Sequence, residues 1–296
     1  MPYSIKSKYP WWPYQALVAR EERLGEIAEA RGGWWLVLYE FVRFGVKQAW
    51  ACLFGGLMIV LLIGTFLWYP KDSILPRYDF LVIASLAIQA LLLIFRMETL
   101  EEAKIILLYH LTGTVMEVFK THVGSWQYPE AGFLKIGGVP LFTGFMYSCI
   151  GSYIARAWRL FDLSFTSHPP LWLVALLSVV IYVNFFTHHY FYDFRWLILL
   201  ALFAAFGKTW IHFRIRRHHR RMPLLIGFLL VSLFIWFAEN IGTATNAWIY
   251  PNQHKEWVMV PFSKLIAWYL LMNISYSLVA FVNKPQDYCR QPTHIG

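Results

Sequence analysis

A chain of 296 residues that is 58% hydrophobic, 19% aromatic and only 15% charged departs from a soluble domain, in which about a quarter of residues carry charge. Its apolar residues gather in runs of roughly 20, the length that crosses a hydrocarbon core, so composition argues against a soluble enzyme and for a polytopic helical membrane protein. The net charge of +9 does not call for nucleic acid. Arg214, Arg216, Arg217, Arg220 and Arg221 lie between two apolar runs, where the positive-inside rule and anionic lipid headgroups account for them.

Residues 1–47 precede the first long run, with no cleavable signal peptide expected. YPWWPYQ is interfacial in composition. REERLGEIAEAR predicts a solvated helix that Gly32-Gly33 breaks. WWLVLYEFVRFGVKQ then sets Glu40, Arg43 and Lys47 on one face, which predicts a helix lying along the membrane surface. Eight spanning runs follow, at 48–69, 78–96, 101–122, 139–161, 170–189, 195–213, 223–243 and 258–282. With eight spans, most basic residues fall on one side and both termini are cytoplasmic; Lys71, Arg77, Lys135, Arg195 and Lys255 are the exceptions. Cys52, Cys149 and Cys289 are too scattered for a metal or disulfide framework.

The stretch EVFKTHVGSWQYPE, 117–130, is echoed by ENIGTATNAWIYPN, 239–252. Each acid is followed nine residues on by Trp and then Tyr-Pro: Trp126, Tyr128 and Pro129 in one, Trp248, Tyr250 and Pro251 in the other. Thr121 matches Thr243, both stretches re-enter through Val-Pro at 139–140 and 260–261, and Tyr-Asp-Phe recurs at 78–80 and 192–194. The expected fold class is therefore all-α: a polytopic membrane helix bundle of about eight spans built from two parallel four-span repeats. The repeats occupy 48–169 and 170–283, between an N-terminal segment 1–47 and a tail 284–296, with re-entrant outer loops after spans three and seven.

Glu117 and Glu239 each fall about one turn inside the outer end of a span. An ionised group costs about 2.5–3.5 kcal/mol at mid-bilayer on insertion scales, so both acids are expected to face the bundle interior across the pseudo-two-fold axis. Two carboxylates in a poorly hydrated chamber do not both ionise readily, which makes one a proton donor and the other an acceptor. The alternative role is to pin the backbone of each re-entrant loop. His110, Thr114, Glu117 and Thr121 share a helical face, with His110 either a proton relay or an interior hydrogen-bonded histidine. Lys264 lies at the depth of Glu239; by neutralising it, Lys264 would leave Glu117 the better donor. Trp126, Tyr128, Trp248 and Tyr250 are either an aromatic belt or pocket walls, joined by Thr121, Thr243 and Asn246 as candidate substrate contacts. His122, His188, His189 and His254 lack metal-ligand spacing, and His212, His218 and His219 do not complete a set of histidine boxes, so neither metal nor cofactor is expected.

EVFKTHVGSWQYPE and the late Pro-Phe-Ser-Lys re-entry resemble an uncharacterised bacterial integral-membrane family, domain of unknown function 817. That resemblance implies the bacterial inner membrane and brings no activity. More distantly, Glu117, Gly124, Trp126, Tyr128 and Gly138-Val139-Pro140 resemble the pattern of carotenoid hydratases and intramembrane lycopene cyclases, which protonate or hydrate isoprenoid double bonds without a redox cofactor. Those cyclases follow the re-entry proline with paired glutamates, whereas Leu141 and Phe262 follow it here.

The function expected is an intramembrane acid–base enzyme, hydratase-, cyclase- or isomerase-like, acting on a membrane lipid, isoprenoid or other hydrophobic small molecule. Its rivals are a proton-coupled transporter of a small solute and a non-catalytic scaffold. A transporter needs polar residues reaching the cytoplasmic side, where the sequence shows an apolar half broken only by Gln89 and Lys208.

Overall fold

A computed structural model describes residues 12–216 and 219–288; the expectations for residues 1–11, Arg217, His218 and 289–296 lie outside these described residues. Helices α1 (Trp12–Arg31) and α2 (Gly33–Ala51) meet at Gly32, whose φ of 63° turns the chain without a Cβ clash. The polar face of α2 turns into the protein. Glu40 receives Arg220, Arg43 pairs with Glu21 at 2.6 Å, and Lys47 donates to the carbonyls of Leu160 and Arg214, each at 2.9 Å. Its opposite face leaves Trp34, Phe41 and Val46 exposed.

Helices then occupy all eight apolar runs in order: α3 (Leu53–Trp68), α4 (Arg77–Ile94), α5 (Leu100–His122), α6 (Phe142–Phe161), α7 (Leu171–Thr187), α8 (Arg195–Phe206), α9 (Leu224–Ala244) and α10 (Ser263–Asn283). Three of them, α4, α9 and α10, are by themselves long and apolar enough to cross a membrane, and α2 with α3, bent by 67°, makes a fourth candidate. α5 and α6 are long but carry charges inside the bundle; α7 and α8 are apolar but only 17 and 12 residues long.

The all-α expectation is corrected at one end. The sixth run stops being helical at Phe206, and Trp210–Arg214 forms strand β4 between β3 (Ser164–Thr166) and β5 (His219–Pro223). The arginine loop is thus an antiparallel hairpin, with Ile211 opposite Met222 and Phe213 opposite Arg220. Along β4, Ile211 and His212 are both buried while Trp210 and Arg214 at the strand ends are exposed. A second, two-residue ladder joins β1 (Lys135–Ile136) to β2 (Val139–Pro140) at the opposite end of the bundle, hereafter the motif end.

α6 and α10 are the hubs. α3, α4 and α5 pack on α6 while α7, α8 and α9 pack on α10; α6 also packs on α10. The α3–α4 and α4–α5 contacts have counterparts in α7–α8 and α8–α9. The closest pair is α5 with α6. A Cβ on Gly113 would come within 2.6 Å of the Tyr147 ring, so only glycine lets that ring lie across α5.

The hairpin end is less apolar than its sequence suggests, which corrects the expectation of a dry inner half. Glu98 and Arg156 form an ion pair at 3.1 Å with both side chains fully buried. Gln89 and Ser152 also donate to Glu98, at 2.5 and 3.1 Å, and Arg159 reaches Glu102 at 3.0 Å. These charges sit beside helix ends in sequence, where they read as loop residues; only folding buries them.

Candidate functional site

At the motif end, α5 and α9 finish the same way. Val123 and Thr245 donate to carbonyls four residues back, then Gly124 and Asn246 take positive φ of 73° and 54°. Ser125 and Ala247 complete each cap by donating to Lys120 and Gly242. Asn246 therefore stands exposed at the helix end, away from the acids. The two following segments pair with each other through one antiparallel bridge: Gln127 and Ile249 exchange both backbone hydrogen bonds at 2.9 Å. Each is the middle residue of its Trp-x-Tyr.

That bridge folds both aromatic pairs inward. Trp126 Nε1 donates to Glu117 at 2.6 Å, Tyr128 donates to the same oxygen, and Tyr147 of α6 donates to the other at 2.8 Å. Tyr250 donates to Glu239, and the indoles of Trp248 and Trp268 approach the same carboxylate. Tyr147 and Trp268 each lie seven residues after the re-entry proline, a spacing visible in the sequence but not used there. Each acid is thus held by a Trp and a Tyr from its own motif and an aromatic donor from α6 or α10.

The two acids share one enclosure. Glu117 is 5% and Glu239 6% exposed, and they are near enough to repel each other. Their ligands touch: Trp126 meets Tyr250 edge-on at 6.0 Å, and Tyr147 meets Trp268 at 6.3 Å. Burial, and then the neighbouring carboxylates, push the Tyr128 and Tyr250 phenols well above their ordinary range, so both remain O–H donors. Lys264 acts on Glu239 through space, with its ammonium 4.6 Å from the centre of the Tyr250 ring and 6.0 Å from that of Trp126.

The remaining predicted residues divide. Thr243 accepts from Trp257 at 3.1 Å and donates to Asn240, so it fixes the second loop. Thr121 keeps a buried hydroxyl with no hydrogen-bond partner among the described residues. His110 lies two turns from Glu117 against Gly144 and the Phe145 ring at 4.5 Å, outside the acid shell. Its Nδ1 is buried and likewise without a partner among the described residues. Backbone pinning, the alternative assigned to the acids, falls instead to Asp79, which accepts from Phe133 and Leu134 at 2.9 and 2.8 Å, and to Asn240, which accepts from Val260 at 2.9 Å. Two exceptions to the charge bias are neutralised locally: Arg77 pairs with Glu130, and Arg195 with Asp193, both at 2.5 Å. Among the described residues, no group of three or more His, Cys, Asp or Glu side chains could hold a metal ion.

Residues 40–276 match the family model described as a protein of unknown function, DUF817. A Bacillus subtilis (strain 168) protein, named only as the uncharacterized protein YoaT, is 40% identical over 248 residues, which are 84% of this chain and 93% of that protein. No solved structure matches.

Proposed function

The chain belongs to the DUF817 family, whose function is unknown, and from that starting point we propose that it is a membrane-embedded acid–base enzyme acting on an unsaturated lipid or isoprenoid. The observation that carries this reading is the pair of buried carboxylates, each held by converging aromatic donors within one buried cluster. Two acids with unequal surroundings suit a donor–acceptor pair. Lys264 lies near enough to act on Glu239 through space, with its ammonium beside the Tyr250 ring that donates to that acid. Glu117 has no such cation and carries the proton, which a phenol beside it accepts as a hydrogen bond, since Tyr hydroxyls both donate and accept.

In the reaction, Glu117 transfers its proton to one carbon of a substrate double bond, and the π electrons form the new C–H bond. The cation left on the other carbon faces the rings of Trp126, Tyr128 and Tyr250. Glu239 then removes a proton from the adjacent carbon, restoring a double bond one position along. If water adds instead, Glu239 takes the proton that the bound water releases. A proton passing from Glu239 to Glu117 resets the site, directly after the shift and with one water consumed after hydration.

This reading includes the finer architecture: eight crossings as two parallel four-helix halves, with both termini cytoplasmic in a bacterial inner membrane. It is supported by the recurrence of the same helix pairings on α6 and α10, the matching caps of α5 and α9, and the bridge between equivalent residues Gln127 and Ile249. α5 turns Leu107, Leu111 and Val115 outward, while Glu102 and Glu117 of α5 and Arg156 of α6 are buried within the bundle rather than facing lipid. Arg214, Arg216 and Arg220 answer Asp162, Glu29 and Glu40, and Arg221 covers the Trp210 ring at 4.9 Å, so anionic headgroups meet a hairpin already partly neutralised.

The test compares lipid extracts from cells of native background expressing the wild type or Glu117→Gln. A wild-type-dependent lipid species is expected to disappear with the variant; identical profiles would overturn the enzyme reading. One observation favours a proton-coupled carrier. Tyr147, Ser148, Ser152 and Arg156 continue along α6 from Glu117 to the buried Glu98. Proton uptake into proteoliposomes that is coupled to a solute and lost with Glu98→Gln would decide for that rival.

A further inference from the structure

The mouth of the acid enclosure carries, beside Lys264, a second cation that the reaction above does not use. Lys120, on the last turn of α5, is 3% exposed, yet its ammonium meets a neutral acceptor, His189 Nε2 at 2.7 Å, and the Phe185 ring at 4.0 Å. Lys264 is near enough to repel it, and Arg195 acts on both. The carboxylates nearby make their contacts elsewhere, Asp193 with Arg195, Glu130 with Arg77 and Glu239 with Tyr250, and reach the lysines only through space, Asp193 acting on Lys120 and Glu239 on Lys264. Among the described residues neither Lys120 nor Lys264 forms an ion pair. Two lysine side chains therefore converge at a buried mouth with no carboxylate among the described residues in contact with either, where burial makes positive charge costly.

From the residues that follow Lys264 in α10, an apolar groove of about 290 Å³ opens between α8, α9 and α10. Leu199, Phe203, Leu229, Leu265 and Ile266 line it, with Tyr269 deeper toward the hairpin end. Leu265 and Ile266 directly follow Lys264, and Leu199 lies one turn after Arg195. Leu265 also packs in the same cluster as Trp126 and Tyr250, so the wall of the groove is a wall of the acid enclosure.

We infer that this groove and the Lys120–Lys264 pair form one binding site for an anionic amphiphile, with a phosphate or carboxylate head at the lysines and a single acyl or prenyl chain along α8, α9 and α10. The charge complementarity selects the head, and a lining that is almost wholly apolar selects the chain. The inference rests on the enzyme reading only for the consequence that such a chain passes the two acids; the binding itself stands apart from it.

The experiment uses full-length protein in nanodiscs of zwitterionic lipid, with radiolabelled dodecyl phosphate as probe and with dodecanol and inorganic phosphate as competitors. Saturable binding of dodecyl phosphate is expected. Unlabelled dodecyl phosphate should displace the label at least tenfold more effectively than either competitor. Lys264→Gln and Lys120→Gln should each weaken binding about tenfold, and Leu229→Trp, which fills the groove from an exposed position, should weaken it without touching a charge. Glu117→Gln should bind normally even though it abolishes the lipid change, which separates this inference from the enzyme reading. Displacement by inorganic phosphate as effective as by dodecyl phosphate, or lysine variants that fold and bind like wild type, would overturn the proposal.

Discussion

Lys120 and His189 form a bond whose direction is set by protonation. Burial, then the Lys120 ammonium and then His188, push the His189 imidazole down to about 4, so it is neutral at physiological pH and accepts from Lys120. The sign follows: folding disfavours protonated His189, so its contribution to stability is full above the unfolded histidine value of about 6.5 and declines as pH falls through 4. We expect Lys120→Gln to move the His189 midpoint upward toward 6.5, measured by NMR titration of the histidine ring signals. A midpoint unchanged by the substitution would show that the ammonium has no part in it. Of the individual residues, the acids, the Trp-x-Tyr hooks and Lys264 were legible because they recur at fixed spacing or interrupt an apolar run. Tyr147 and Trp268 were not, since a lone aromatic in a membrane helix has many other uses; their shared distance from the re-entry prolines was the available signal. Lys120 was hidden as an ordinary helix-terminal base, and His189 as an ordinary interfacial histidine.

Among the elements, the α5–α6 pair depends on the absence of side chains at its crossing. Gly113 receives the Tyr147 ring, and Gly144 receives His110. Gly113→Leu is expected to overpack that contact, lower stability by about 1–3 kcal/mol and displace the Tyr147 hydroxyl from Glu117. Thermal unfolding in detergent, with Tyr147→Phe for comparison, separates the two effects: the phenylalanine loses the hydrogen bond without the clash. Helix positions were readable from apolar runs, because burial in lipid or core demands the same residues. Strand β4 was not, because Trp210, Ile211 and Phe213 extend the apolar run that precedes them, and hydropathy does not distinguish a further turn of helix from the central strand of a small sheet.

On the scale of the whole molecule, the two ends are held by different physics. At the hairpin end, a fully buried Glu98–Arg156 pair joins the start of α5 to α6. Arg156→Met strands the Glu98 charge and is expected to cost about 3–5 kcal/mol, whereas adding Glu98→Gln recovers most of the loss, since breaking one partner is worse than removing both. Thermal melts of the single and double variants measure this; equal destabilisation would mean the pair is not the cause. At the motif end, Gln127 and Ile249 should sit within the Cα separation a disulfide needs, because a hydrogen-bonded antiparallel pair is about 5.5 Å apart. In a chain whose native cysteines are replaced by serine, Gln127→Cys with Ile249→Cys should crosslink under mild oxidant, read as the loss of two free thiols by mass spectrometry. The bridge between these residues is made by main chain alone, and main chain is the same whatever side chain it bears. Mutational drift at either position, short of proline, is therefore invisible to the joint between the two segments, and the helices behind it are free to differ: a histidine at 110 on α5, a serine at 232 on α9, within a frame that neither change disturbs.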